Sequence, residues 1–213
     1  MDRIGTDESG KGDFFGPLVV GAVYVTDQQE KTLRKLGVKD CKLLEDKKVL
    51  ALDEEIRKAF VFDVVKINPP KYNQLHEKFG NLNILLAWAH ARAIENLLGK
   101  VECGRVVSDQ FGDEKYLKER LMKKGRKVEL IQRPRAEDDL AVAAASIVAR
   151  ATFLKGLEAM TQYWGIKFPK GASNVEHAGR MFVAAYGREM LSEVAKTHFR
   201  TMKRLDAGGS EES

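Results

Sequence analysis

The sequence predicts an α/β fold: a mixed β-sheet flanked by helices, with a helical C-terminal region. Three observations lead there. A short strand pattern at residues 3–7 and a longer valine-rich one at 17–25 flank a glycine-rich turn, as in a hairpin. Farther along, strand and helix patterns alternate. The alanine-rich stretch DLAVAAASIVARATFLKGLEAM is apolar on nearly every side, which only a buried helix can be.

The elements follow in order. Residues 28–60 turn helical, interrupted by GVKDCK, with Asp40 placed to cap a helix through LLEDKKVLALDEEIRKA. FVFDVVKI reads as a strand that ends at Pro69-Pro70, because proline supplies no N–H to a sheet ladder. NLNILLAWAHARAIENLLG is the clearest amphipathic helix, with Gly99 as its stop. RVVSDQF, residues 105–111, is a strand around its valine pair; a basic helix follows to Lys124, and KVELIQ is the next strand. Beyond the alanine-rich helix, helical segments extend from about Val175 to Thr201. One domain is expected over residues 1–205, and the polar DAGGSEES, residues 206–213, is expected to be a disordered tail.

With 213 residues, 44% hydrophobic and 31% charged, the chain can bury a sizeable core and is not of a low-complexity or mostly disordered class. No apolar run approaches the roughly 18 residues of a membrane span, and MDRIGTDESGKG carries acids where a signal peptide needs an apolar stretch. The expected location is therefore cytoplasmic, without a membrane partner. The two cysteines, Cys41 and Cys103, form no CxxC pair and are expected to be reduced. The net charge of +5 is unevenly spread: nine basic residues against three acidic ones lie between Glu114 and Arg135. Such a cluster suits a polyanion binder, and equally a solvated helix face.

The segment GTDESGKGDFFGP, from Gly5 to Pro17, is the sharpest motif. Gly5, Gly10 and Lys11 match a phosphate-loop pattern, but Gly12 stands where that loop needs a hydroxyl, Asp7 and Glu8 would repel phosphate, and a strand pattern follows instead of a helix. The alternative makes the acids the point of the motif. Adjacent strand residues face opposite sides, so Asp7 and Glu8 are expected to converge on one ion by a break at Ser9-Gly10. Their oxygens suit Mg²⁺ or Mn²⁺. Gly10 and Gly12 admit close backbone approach of a phosphate or sugar, and Lys11 adds charge. Asp109 ends a strand where it could reach the same site, and RAEDDL places Glu137, Asp138 or Asp139 at a helix start, where the helix dipole alone would also favour acids. His76, His90, His177 and His198 show no ligand spacing, so no zinc site is indicated.

Taken together, DESGKGDFFGP, GVKDCKLLEDKK, GNLNILLAWAHA, VVSDQFG and RAEDDLAVAAASIVAR resemble the type 2 ribonucleases H, most closely the ribonuclease HIII branch, over nearly the whole chain. Ser9, Lys11 and Arg135-Ala136-Glu137 stand where ribonucleases HII usually carry alanine, arginine and Lys-Ala-Asp. The resemblance implies a ribonuclease H-like fold and a metal-dependent endonuclease that cuts the RNA strand of RNA/DNA hybrids, leaving 3′-hydroxyl and 5′-phosphate ends. It maps the catalytic carboxylates onto Asp7, Glu8, Asp109 and Glu137, with Asp138 as the fallback metal ligand and two Mg²⁺ or Mn²⁺ ions as cofactors. Ser9, Gly10, Lys11 and Gly12 fall in the turn that the family uses to touch RNA 2′-hydroxyls, and Lys42 and Ser146 fall in motifs beside the site. Lys11 in place of arginine leads to the expectation of cutting within RNA tracts rather than at a lone ribonucleotide. The chain begins six residues before Asp7, whereas that branch typically carries an N-terminal substrate-binding domain, so weak binding is expected more than altered chemistry. A monomer is expected. The competing reading is an inactive hybrid- or duplex-binding module, which would need the basic segment but not four neighbouring acids.

Overall fold

The structure is a computed structural model that describes residues 1–38 and 44–207. Five strands form one sheet in the order β3-β2-β1-β4-β5: β1 (Arg3–Ser9), β2 (Leu18–Val25), β3 (Phe62–Ile67), β4 (Arg105–Asp109) and β5 (Glu129–Arg133). β1, β2 and β3 pair antiparallel, whereas β4 is parallel to β1 and β5 to β4. The mixed sheet follows from the connections. An antiparallel neighbour can be reached by a turn, while a parallel one needs a crossover. The helices α3 (Pro69–Phe79) and α4 (Leu82–Leu98) supply it between β3 and β4, and α5 (Glu114–Arg120) supplies it between β4 and β5.

Each face of the sheet is covered by one apolar helix. On the first, Leu85, Leu86 and Ile94 of α4 join Ile4, Leu18, Val20 and Val106 in one core. On the other lies α6 (Leu140–Trp164), whose alanines pack with Val23, Val25 and the helices α1 (Asp27–Leu36) and α2 (Asp46–Ala59). Gly5 explains how close α6 sits, since a Cβ there would lie 2.1 Å from the backbone carbonyl carbon of Ala141. By length and composition α6 could cross a membrane, but 72% of its most apolar 18-residue stretch is buried inside the protein. A third core gathers Phe14, Phe15, Phe168 and Phe182 under α7 (Glu176–Tyr186), α8 (Leu191–Val194) and α9 (Thr201–Ala207).

Several expectations are corrected. Pro69 and Pro70 end β3 but also open α3, where a missing N–H costs nothing in the first turn. Helix α2 is preceded by Glu45 at its N-cap, and Asp40 lies outside the described residues. Gly99 closes α4 with φ −70°, so no left-handed stop is used. The basic helix α5 ends at Arg120 instead of Lys124, and Lys124 instead spends its ammonium on the Leu98 carbonyl at 2.9 Å. Helix α9 runs to Ala207, two residues into the expected tail, whose remainder lies outside the described residues.

Candidate active site

Parallel neighbours deliver their C-terminal ends to the same edge of a sheet. Asp7 and Glu8 near the end of β1, and Asp109 at the end of β4, accordingly line one cavity of about 370 Å³. Ser9, Gly10, Lys11 and Gly12 form one wall, and Ser146 and Arg150 of α6 another.

The two adjacent acids arrive differently than expected. β1 ends between Ser9 and Gly10, at the expected break, but it stays paired with β2 as far as Ser9 and Val19, so the pleat still sends the side chains of Asp7 and Glu8 to opposite faces. Glu8 faces α4: its Oε2 lies 3.1 Å from His90 Nε2, and its Oε1 accepts from Lys11 Nζ at 3.0 Å. Asp7 faces α6, where it is hydrogen-bonded to Ser146, and its Oδ1 also accepts the Glu8 N–H at 2.8 Å. The cavity takes both because it opens at the edge of the sheet.

Their acidities diverge as well. Burial, followed by the charge of Glu8, pushes the Asp7 carboxyl well above the usual aspartate range, with Asp109 adding to the rise. Burial pushes Glu8 up too, but hydrogen bonding and charge from His90 and Lys11 outweigh it and bring the carboxyl down to about 2.

Asp109 Oδ1 accepts the Ala136 N–H at 3.0 Å, tying β4 to a 3-10 turn at Ala136–Asp138. Arg135 enters that turn at φ 54°, an uncommon conformation for a residue with a Cβ. Glu137 is half-buried on the turn, and neither it nor Asp138 lines the cavity. The Arg133 guanidinium clasps the Asp138 carboxylate, and Asp139 both caps α6 through Ala141 N–H at 2.8 Å and pairs with Arg3 Nε at 2.6 Å. Among the described residues, no three His, Cys, Asp or Glu side chains are gathered as ligands of a single ion. Lys42 lies outside the described residues, as does Cys41.

The glycine turn is built from both ends of the chain. Gly10 has φ 86°, and a Cβ there would lie 2.1 Å from the Pro17 carbonyl oxygen; around Gly12 the space is open. The turn leads into β2 and no helix follows it, which removes the phosphate-loop reading. Lys196, fully buried, donates to the carbonyls of Asp13 and Gly16 at 2.7 and 2.8 Å, and burial brings its ammonium down to about 7. Phe14 and Asp13 are further tied to Gly171.

His90, Arg150 and Lys196 are site or support residues that sequence reasoning missed. A signal existed for His90: Leu86, His90 and Ile94 recur at intervals of four, which puts the imidazole on the core-facing stripe of α4. Arg150, held by Asp46 at 2.8 Å, and Lys196 carry no comparable local signal.

The sequence family described as Ribonuclease HII matches residues 4–202. The chain belongs to the ribonuclease HII family. Within it, Ribonuclease HIII of Protochlamydia amoebophila is 48% identical over 204 residues, covering 95% of this chain and 68% of that protein. Ribonuclease HIII of Chlamydia pneumoniae is 46% identical over 211 residues, covering 97% and 70%. Among solved structures, Bst-RNase HIII in complex with Mn²⁺ superposes with a TM-score of 0.91 at 31% identity, covering 99% of this chain and 70% of that one. The ribonuclease H2 of Pyrococcus horikoshii, 22% identical with a TM-score of 0.81, shares the fold, covering 99% of this chain and 100% of its own. This ribonuclease HII family member is a ribonuclease H enzyme, of the ribonuclease H-like fold.

The residues of the cavity fit a hard divalent cation by their chemistry. Asp7, Glu8 and Asp109 offer only oxygen donors, and the repulsion from Glu8 and Asp109 that adds to burial in raising Asp7 is the kind a cation relieves.

Proposed function

We propose that this ribonuclease H hydrolyses the RNA strand of RNA/DNA hybrids as an endonuclease, leaving 3′-hydroxyl and 5′-phosphate ends, with Asp7, Glu8, Asp109 and Glu137 holding two Mg²⁺ or Mn²⁺ ions and Asp138 the fallback ligand. The observation that carries the reading is the convergence of three carboxylates from two parallel strand ends on one cavity walled by the glycine turn. When bound, such ions activate a water and stabilise the charge on the phosphate and the leaving oxygen.

The chain's own residues do the rest. The backbone of Ser9, Gly10 and Gly12 meets the RNA sugar edge, where a 2′-hydroxyl distinguishes RNA from DNA. Lys196 supports that turn from beneath through two carbonyls, so its shape does not depend on the substrate. Lys11, 42% exposed, leaves Glu8 for a phosphate when the site fills. Ser146 orients Asp7. Lys42 is a further substrate contact, the protein acts as a monomer in the cytoplasm, and cutting is favoured within RNA tracts over a lone ribonucleotide.

A labelled RNA/DNA hybrid incubated with Mg²⁺, Mn²⁺ or EDTA tests this. Expected are internal cuts in the RNA strand with either ion, none with EDTA, and a product end that a 3′-hydroxyl-dependent polymerase extends. Metal-independent cutting, or equal cutting of duplex DNA, would refute it.

A further inference from the structure

Thr6 and Glu8 point to the same face of β1, and both end on one imidazole. His90 Nδ1 lies 3.1 Å from Thr6 Oγ1 and His90 Nε2 lies 3.1 Å from Glu8 Oε2. The ring is fully buried and stacks on Phe111, centroids 4.7 Å apart and planes at 25°. Both ring nitrogens are thus engaged, and the ring cannot turn without breaking two hydrogen bonds and leaving its stack. Neutral or protonated, the imidazole can keep an N–H at Nε2 facing Glu8, while Thr6 serves Nδ1 by donating to it or accepting from it.

A buried polar ring on an otherwise apolar helix stripe is an expensive way to fill space. Leu86 and Ile94, one turn to either side, show what packing alone would select. The two oxygens of Glu8 are also held unequally. Oε2 is fixed by a buried ring, whereas Oε1 is held by Lys11, a half-exposed side chain free to swing into solvent.

We propose that His90 is a positioning residue of this site: it pins one oxygen of Glu8 so that the other is presented to a divalent metal ion. The inference rests on the proposed reading of Glu8 as a metal ligand. It assigns the Thr6–His90–Glu8 chain the task of orienting a ligand from behind, as the outer partners of metal ligands generally do.

The test is Mn²⁺ binding by calorimetry on the folded, nucleic-acid-free protein, with hybrid binding in EDTA as the control. His90→Phe keeps the stack and removes both hydrogen bonds; it should weaken Mn²⁺ binding by about 10- to 100-fold, the range for lost outer partners, and leave hybrid binding in EDTA unchanged. His90→Gln, whose amide can again donate to Glu8, should recover most of that loss. Thr6→Val, which frees only Nδ1, should cost a few-fold and serves if His90→Phe does not fold. Wild-type Mn²⁺ affinity in His90→Phe, or in Thr6→Val where His90→Phe does not fold, while Glu8→Gln has lost the ion, would overturn the role of His90 and leave the ligand reading standing. Wild-type affinity in Glu8→Gln would overturn that reading, and this inference with it.

Discussion

Asp7 and Glu8 are neighbours in sequence and share one cavity, yet the two faces of the sheet treat them oppositely. On the α6 side Asp7 is buried and feels the charges of Glu8 and Asp109, which together outweigh the one hydroxyl that favours its anion, so its charge is resisted. On the α4 side Glu8 meets an imidazole and an ammonium, so its charge is held against the same burial. One acid is poised to accept a proton or a cation, and the other is a settled anion. The pleat of β1 produces this difference: a strand that broke after Glu8 would have put both carboxylates in one environment.

The contrast is easiest to break by neutralising each acid in turn. Asp7→Asn should lower cleavage by at least about 10³-fold, since an amide oxygen cannot supply the lost charge to the metal site. It should not lower stability, because it removes a resisted buried charge and keeps an acceptor for the Glu8 N–H. Glu8→Gln should abolish cleavage similarly but also destabilise by about 1–3 kcal/mol, because His90 and Lys11 lose a charged partner. Steady-state hybrid cleavage and urea unfolding of both variants decide this; equal stability losses would erase the distinction between the faces.

The dependence on pH sharpens it. Between the ordinary aspartate value and its raised native one, Asp7 keeps a proton that the unfolded chain has released. Its contribution is complete below the ordinary value and is lost as pH rises through the native one. Glu8 behaves in reverse, its contribution complete above the ordinary glutamate value and lost as pH falls through about 2. In metal-free protein, wild type should therefore lose stability relative to Asp7→Asn as pH rises from the ordinary aspartate range through the raised native value, and relative to Glu8→Gln as it falls from the ordinary glutamate range to about 2. Unfolding curves at several pH values check both signs.

Much of the site is legible in the chain. Two acids at the end of an apolar strand, followed by a glycine turn, mark a place where packing alone would not put charge, and the sheet class follows from the order of strand and helix patterns. What is not legible depends on partners remote in sequence. The opposite faces of Asp7 and Glu8 require β1 to stay paired with β2 through Ser9. Glu137, Asp138 and Asp139 are chemically alike as a string, and only the fold shows Asp139 committed to Arg3 and the α6 cap and Asp138 to Arg133. The basic stretch reads as a free cationic face, but Lys115 and Lys118 pair with Asp113 and Glu114, and Arg133 with Asp138. Helix α3 was hidden because a proline pair signals the end of a strand more plainly than the first turn of a helix.

The smallest effects should come from the residues that assist each acid. Ser146→Ala removes a bond that favours the Asp7 anion, and Lys11→Met removes one of the two groups holding Glu8. Each should weaken Mn²⁺ binding or turnover only a few-fold, with Lys11→Met also raising KM for hybrid. A loss from Ser146→Ala as large as that from Asp7→Asn would mean that the hydroxyl does more than orient the carboxylate.

The unequal treatment of the two acids is the claim on which the rest depends, and carboxyl-detected NMR of the metal-free protein measures it directly. A pH titration should show Glu8 losing its proton near 2 and Asp7 well above the usual aspartate range, with the upper transition shifting down when Glu8 is replaced by Gln. Both carboxyls titrating together in the ordinary range, or Asp7 below Glu8, would contradict it.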